Sequence, residues 1–320
     1  MLSTVARQLI LLVLLVLVMT VSGGYAFIPF LRRIKLGQYV REDGPQSHLK
    51  KAGTPTMGGV IFLFPFILLG FFSGNSGTVF WATLGCAAIG FADDFIKVVL
   101  KRSLGLRAYQ KLIAQLAVII AYFAYQFGRG QLLTQIRIPF TGIFWDLGGL
   151  WYVFALLVIF GTTNGANLTD GLDGLSASVS SVMMVFLAVA AFWMGRVEIG
   201  VLALIFFAGL LGFLWFNAYP AKVFMGDTGS LAIGGFVAFA SIQLQIPLLI
   251  LLFGIIYLAE SLSVMIQVAY FKKTGKRVFK MTPIHHHFEL TGVKETKIVA
   301  YFTLITIATS LIALYSILKY

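Results

Sequence analysis

Apolar residues run in long blocks along this chain, and polar residues gather in the gaps between them. A helix that crosses a bilayer needs ~20 apolar residues, fewer where neighbouring helices shield it. About ten blocks meet that description, near 6–30, 56–73, 78–96, 108–127, 148–163, 175–194, 199–216, 229–245, 247–270 and 297–318. The division between the eighth and ninth rests on Gln243, Gln245 and Pro247, which mark a turn. The pattern changes between 128 and 147: Leu132 to Phe140 alternates in part, with Pro139 and Gly142 near its end, which predicts a short hairpin. No internal repeat or low-complexity tract breaks the series.

Composition sharpens this reading. The 320 residues are 59% hydrophobic and 11% charged, with mean hydropathy +0.93. A soluble domain carries about 25% charged residues, so the solvent of this chain is mostly lipid. The predicted fold class is an all-α integral membrane protein, one polytopic domain over 1–320. The N-terminal block, apolar from Leu9 to Val18, lacks a basic region and a small-residue cleavage site. It reads as a retained first span. One cysteine, Cys86, excludes an internal disulfide and a cysteine zinc site, and fits a buried packing residue.

The net charge of +12 would suit a nucleic-acid binder, but the bases fall between apolar blocks, where they report topology. Nineteen of the 24 Lys and Arg follow the first, third, seventh and ninth blocks, among them Arg32, Arg33, Lys35, Arg41, Lys50, Lys51, Lys97, Lys101, Arg102, Lys111 and Lys222. Only Arg7, Arg129, Arg137, Arg196 and Lys319 fall on the other side. This bias puts the base-rich segments in the cytoplasm and both termini outside. The acids follow: Glu42, Asp43, Asp93, Asp94, Asp170, Asp173, Asp227, Glu289 and Glu295 share the base-rich side, Asp146 and Glu198 oppose it, and Glu260 lies inside the ninth span. Carboxylates at membrane depth are costly and usually mark function.

Four clusters carry candidate chemistry. Asp93 and Asp94 end the third span, with Lys97 in helical reach. Such a pair suits metal binding, proton abstraction or pairing with Lys97, and its plainest alternative is a solvated helix end. Asn164 to Gly174 interleaves glycine with Asn167, Asp170 and Asp173. Its backbone can approach a ligand, and its oxygens suit Mg²⁺, although a polar turn needs only a few such residues. In Phe224-Met225-Gly226-Asp227-Thr228-Gly229-Ser230, Asp227 is either a helix cap or a Mg²⁺ ligand. His285, His286 and His287 stand consecutively. Three adjacent histidines on a helix do not face one metal, so phosphate or diphosphate contact is the preferred role.

Together with Pro55-Thr56-Met57-Gly58-Gly59 and Pro283 to Glu289, these segments resemble the polyprenyl-phosphate N-acetylhexosamine-1-phosphate transferase family, in its phospho-N-acetylmuramoyl-pentapeptide branch. Five motifs in order cover nearly the whole chain, with no departure at a motif position. The resemblance implies a bacterial inner-membrane enzyme with ten spans, a cytoplasmic cleft and a Mg²⁺ cofactor. It implies transfer of phospho-MurNAc-pentapeptide from UDP to undecaprenyl phosphate, giving lipid I and UMP for peptidoglycan. Its partners would be UDP-MurNAc-pentapeptide, undecaprenyl phosphate and membrane lipid, with no nucleic acid. A homodimer is implied by the resemblance alone.

The family's roles map onto residues here. Asp227 resembles the Mg²⁺ ligand. Asp93 and Asp94 resemble the essential acidic pair, with Asp93 as the base on the lipid phosphate. Asn167, Asp170 and Asp173 would line the nucleotide end, and Phe224 would stack on uracil with Asn217 nearby. His285 and His286 resemble the diphosphate-side histidines, with His287 among the substrate contacts. Lys51 (or its neighbour Lys50), Lys97 and Lys111 resemble basic residues around the phosphates. Direct attack and a covalent aspartyl intermediate stay open.

Two rivals carry specific signals. A transporter would explain the spans and Glu260, but transporters place charge near the midplane, and here the ionisable groups gather at one rim. A sibling acting on UDP-GlcNAc would share the chemistry. The tail Pro-Ile-His-His-His-Phe-Glu resembles the muramoyl-pentapeptide branch more closely.

Overall fold

The computed structural model describes residues 2–33, 51, 53–72, 77–100 and 104–319. Lys35, Arg41, Glu42, Asp43, Lys50, Lys101 and Arg102, which entered the charge count, lie outside the described residues. Every expected block is helical. The helices are α1 (Leu2–Arg33), α2 (Gly59–Phe72), α3 (Thr78–Val99), α4 (Ala108–Gly128), α5 (Leu150–Thr169), α6 (Leu175–Trp193), α7 (Val197–Asn217), α8 (Gly226–Gln243), α9 (Ile250–Phe253), α10 (Ile255–Thr274), α11 (Ile284–Leu290) and α12 (Glu295–Leu318).

Eight of these are long and apolar enough to cross a membrane: α1, α3, α4, α5, α6, α7, α10 and α12. Two expected spans fall below that standard for different reasons. Helix α2 has only 14 residues. Helix α8 is diluted by Gly226, Gly229, Ser230, Gly234, Gly235 and Ser241. Neighbours enclose α8 over most of its length, whereas α2 is buried on one side and exposes Phe64, Ile67, Phe71 and Phe72 on the other. Helix α8 is the central pillar, buried from Thr228 to Ile242. Its small residues let α3, α5 and α2 approach closely, the packing that holds helices together where lipid removes the hydrophobic drive. Phe236 and Phe239 fill the remaining space, Phe236 beside Phe206 (ring centroids 5.1 Å) and Phe239 beside Tyr122 (4.7 Å). Leu11, Ile120, Leu157, Trp215, Leu304 and Leu311 point outward, as a bilayer requires of the surface it wets.

The expected ninth span, 247–270, is divided. After α8, Gln245 takes φ +59°, Pro247 opens a 3-10 turn (Pro247–Leu249), and the short α9 stops at Gly254 before α10 begins. Proline pre-sets the first helical dihedral and lacks an N–H, so the chain restarts there. The expected hairpin forms as β1 (Gln135–Arg137) and β2 (Phe144–Asp146), an antiparallel pair with Ile136 opposite Trp145. It is clasped to the end of α12 by Arg137 Nη2 donating to Ile317 O (3.3 Å) and Phe140 N–H donating to Ser316 Oγ (2.8 Å).

Asp93 at the end of α3, Asp173 after α5 and Ala221 after α7 meet Lys111 at the start of α4, Asp227 at the start of α8 and Glu295 at the start of α12, so these helix ends share one end of the bundle, which is where the candidate residues fall.

Candidate active site

The first cluster is built by three helix ends. The last turns of α3 carry Asp93, Asp94 and Lys97; α4 brings Lys111 and α8 brings Asp227. Asp93 and Asp94 are fully buried. Lys97 Nζ lies 2.6 Å from Asp93 Oδ2, 3.2 Å from Asp227 Oδ1 and 3.7 Å from Asp94 Oδ1. Lys111 Nζ lies 3.1 Å from Asp93 Oδ1 and also pairs with Asp227 Oδ2. Two ammonium groups thus offset three carboxylates that would otherwise repel one another. Asp94 does more than pair with Lys97. Its Oδ1 accepts from Asp227 N–H (3.1 Å), and its Oδ2 accepts from the Thr228 N–H (2.9 Å) and hydroxyl (2.7 Å). It caps the free N–H groups of α8 across a helix interface, where helix geometry leaves donors unmet. Asp93 Oδ1 accepts from Leu106 N–H (2.7 Å), which ties the α3–α4 connection to the site.

Asp93, Asp94 and Asp227 each turn one oxygen within 4.8 Å of the others. Hard carboxylate oxygens so placed could hold a metal ion. Among the described residues no other group of three His, Cys, Asp or Glu is so placed. Close approach makes this possible: a Cβ on Gly90 of α3 would stand 2.0 Å from the Asp227 carbonyl oxygen.

The second cluster surrounds the α5–α6 turn. Asp170, at the end of α5, is pushed well above the usual carboxylate range by burial and by the charges of Asp227 and Asp94, against a Gly226 N–H that stabilises its anion. Asn167 Nδ2 donates to Ser230 Oγ (3.0 Å), joining α5 to α8. Asp173 Oδ1 pairs with Lys51 Nζ (2.7 Å) and its Oδ2 accepts from Ala221 N–H (2.9 Å). Glu295 Oε1, on the first turn of α12, accepts from both Lys51 Nζ (2.7 Å) and Asp173 N–H (2.6 Å). Burial works to lower the Lys51 ammonium, but its bonds to Asp173 and Glu295 outweigh that and hold it above its ordinary value. Asn217 is buried and spends its amide on two turns, accepting from Gly174 N–H (3.2 Å) and donating to Val223 O (2.9 Å). The adjacent Phe224 is half-buried, its backbone paired with Pro55 O and Gly58 N–H, both at 2.8 Å.

The three histidines diverge. His285 is fully buried, with Nδ1 3.0 Å from Glu260 Oε1. His286 is half-buried beside Glu289, and His287 Nδ1 accepts from Lys280 N–H (3.2 Å). Their ring nitrogens meet three different partners, Glu260, Glu289 and Lys280.

The structure therefore gathers Asp93, Asp94, Lys97, Lys111 and Asp227 into one knot, with Asp170 facing it. Lys51, Asp173 and Asn217 form a second group, and the histidines a third. Glu295 and Glu260, which anchor the second and third groups, were not singled out as site residues. Glu295 looks like an ordinary first-turn acid, while an acid in the apolar run of α10 was a usable signal.

This chain matches a family model described as Glycosyl transferase family 4 over residues 76–245, and a Phospho-N-acetylmuramoyl-pentapeptide-transferase signature over 51–63. It is 49% identical over 317 residues to a phospho-N-acetylmuramoyl-pentapeptide-transferase from Caldanaerobacter subterraneus subsp. tengcongensis, covering 97% of this chain and 99% of the relative. Similar proteins of the same description occur in Thermoanaerobacter pseudethanolicus (47% identical, 97% and 99% covered) and Clostridium kluyveri (46%, 97% and 99%).

Proposed function

The chain belongs to the phospho-N-acetylmuramoyl-pentapeptide-transferase family, and from that premise we propose that it moves phospho-MurNAc-pentapeptide from UDP to undecaprenyl phosphate, forming lipid I and releasing UMP. The observation that carries this reading is the knot of three carboxylates and two lysines at one end of a lipid-facing bundle. A lipid phosphate and a nucleotide diphosphate can meet there and have their charge offset.

The net step forms one P–O bond from a lipid-phosphate oxygen to the sugar-bearing phosphorus. It breaks the diphosphate bridge, and the bond's electron pair leaves with UMP. Such transfer needs positioning and charge stabilisation more than covalent help. Asp227, with Asp93 and Asp94, would hold Mg²⁺, which supplies charge neutralisation at the phosphates. Lys97 and Lys111 share their protons between these acids and the incoming phosphates, so the two anions approach without full repulsion. Asp93 orients the lipid phosphate and takes its proton where it carries one. Asn167, Asp170, Asp173 and Lys51 form the nucleotide end. Phe224 offers the uracil a ring face, and Asn217 acts by bracing the Phe224 segment. His286 and His287 approach the diphosphate from α11. The whole chain works as one polytopic domain in the bacterial plasma membrane. Its basic segments and this site face the cytoplasm, and both termini lie outside.

The test mixes detergent-solubilised protein with undecaprenyl phosphate and either UDP-MurNAc-pentapeptide or UDP-GlcNAc, and follows UMP. Release with the first and Mg²⁺ is expected. Release with UDP-GlcNAc alone would overturn the substrate assignment.

A further inference from the structure

Glu260 and His285 are the most deeply buried ionisable pair in the described structure that the proposed chemistry does not use. Both side chains are 0% exposed, one on α10 and the other on α11. A buried polar pair in a membrane protein is costly and is seldom kept for stability, since apolar residues of similar size pack at lower cost. Glu260 Oε1 stands 3.0 Å from His285 Nδ1. A carboxylate at Nδ1 fixes the ring's orientation and its tautomer, placing the proton on Nδ1 and leaving Nε2 to face whatever lies beyond.

What lies beyond is the nucleotide-end turn. A Cβ built on Gly171 would stand 2.1 Å from His285 Nε2 and 2.6 Å from Cε1, so the imidazole occupies the space that only glycine leaves open. Nε2 has no hydrogen-bond partner among the described residues. The ring of His286 packs against that of His285 with centroids 4.1 Å apart. A chain of direct contacts thus runs from Glu260 through His285 to the turn that holds Asp170 on one side and to His286 on the other.

We propose that Glu260 is a positioning residue of the transferase, holding His285 against the Asp170–Gly171 turn and thereby setting both that turn and His286 around the substrate diphosphate. This rests on the functional reading above. It predicts that the oxygen acceptor at position 260 matters, rather than the volume of the side chain.

Glu260→Gln keeps an oxygen that can accept from Nδ1–H, whereas Glu260→Leu keeps bulk and loses the acceptor. Glu260→Leu is expected to lower kcat by about 30- to 100-fold, the scale of lost supporting contacts, with KM for UDP-MurNAc-pentapeptide changed less than about threefold. Glu260→Gln is expected to retain kcat within about fivefold. Gly171→Ala, which displaces the same ring, should repeat the Glu260→Leu signature, and combining the two should add little. Imidazole ¹⁵N spectra, with His285 assigned by difference against His285→Asn, should show the Nδ1–H tautomer in the wild type and its loss in Glu260→Leu. That readout stands even if the wild type fails to release UMP, which would sink the substrate assignment instead. Near-wild-type kcat in Glu260→Leu, or unchanged His285 ¹⁵N shifts, would overturn the proposal. So would equal collapse of thermal midpoint and activity in both Glu260 variants, which would mark a purely structural pair.

Discussion

At the scale of single residues, the site depends on charge held where charge is costly. Asp227 meets Lys97, Lys111 and the two acids of α3. Asp227→Ala is expected to reduce UMP release by about a hundred- to thousand-fold or more, the size of a lost electrostatic stabiliser, while the protein extracts and melts as the wild type does. Near-normal turnover at ordinary Mg²⁺ would refute the metal role. Phe224→Ala tests the uracil platform. Stacking on an aromatic ring is worth about 1–3 kcal/mol per base, so UMP should bind about five- to 150-fold more weakly, with a smaller change in kcat. Unchanged UMP affinity would reduce Phe224 to a packing residue. Asp170 gives a pH prediction. Its folded-state pKa is raised by burial and by Asp227 and Asp94. A carboxyl raised in the folded state binds its proton more tightly there than in the unfolded chain. Wild-type stability from this group is therefore fully present below the ordinary carboxylate range and falls as pH rises through the raised value. Asp170→Asn removes that loss, so its thermal midpoint should exceed the wild type's by a margin that widens as pH rises across this window, while activity drops. A margin that narrows with pH would contradict the assignment.

At the scale of elements, helix contacts decide where the carboxylates stand. Helix α8 carries Asp227 and is capped by Asp94 of α3, so one carboxyl both closes a helix end and sits in the acidic knot. The Gly90 contact with the Asp227 carbonyl sets the distance between the two helices. Gly90→Ala should push α3 from α8, lower activity by more than about tenfold and lower the thermal midpoint; Gly161→Ala, in open space on α5, should do neither. Equal effects at both positions would show that helix spacing is not what matters.

At the scale of the whole molecule, orientation joins the site to its substrate. Gln131, exposed after α4, and Lys273, exposed in the last turn of α10, lie toward opposite ends of the bundle. With buried Cys86 replaced by alanine, Gln131→Cys should react with an impermeant thiol reagent in intact cells whose outer barrier is permeable. Lys273→Cys should react only after the inner membrane is opened. The reverse pattern would face the acidic knot away from the cytoplasmic nucleotide and invert the proposed topology.

Hydrophobic blocks longer than a soluble core tolerates already determine a helical membrane bundle, because each apolar block must satisfy its own backbone in lipid. Turn residues determine where most helices stop, and the hairpin was legible from its alternation. Local pattern marked 56–73 and 229–245 as apolar blocks but could not show that α8 is the buried pillar of the bundle, since that depends on which helices pack around it. Nor could it show how the polar motifs sort themselves. Asp93 and Asp94 are adjacent in sequence, yet one faces both lysines and the other also caps α8, because successive residues on a helix point about 100° apart. Asn217 lies close to Phe224 but turns inward to hold two turns. Glu295 and Glu260 become partners of Lys51 and His285 only when α12 and α10 pack beside residues far away in the chain. The residue types offered metal binding, phosphate contact, proton transfer and ion pairing alike; which carboxylate meets which lysine is decided by helix packing, because those pairs form across interfaces that no local stretch of sequence contains.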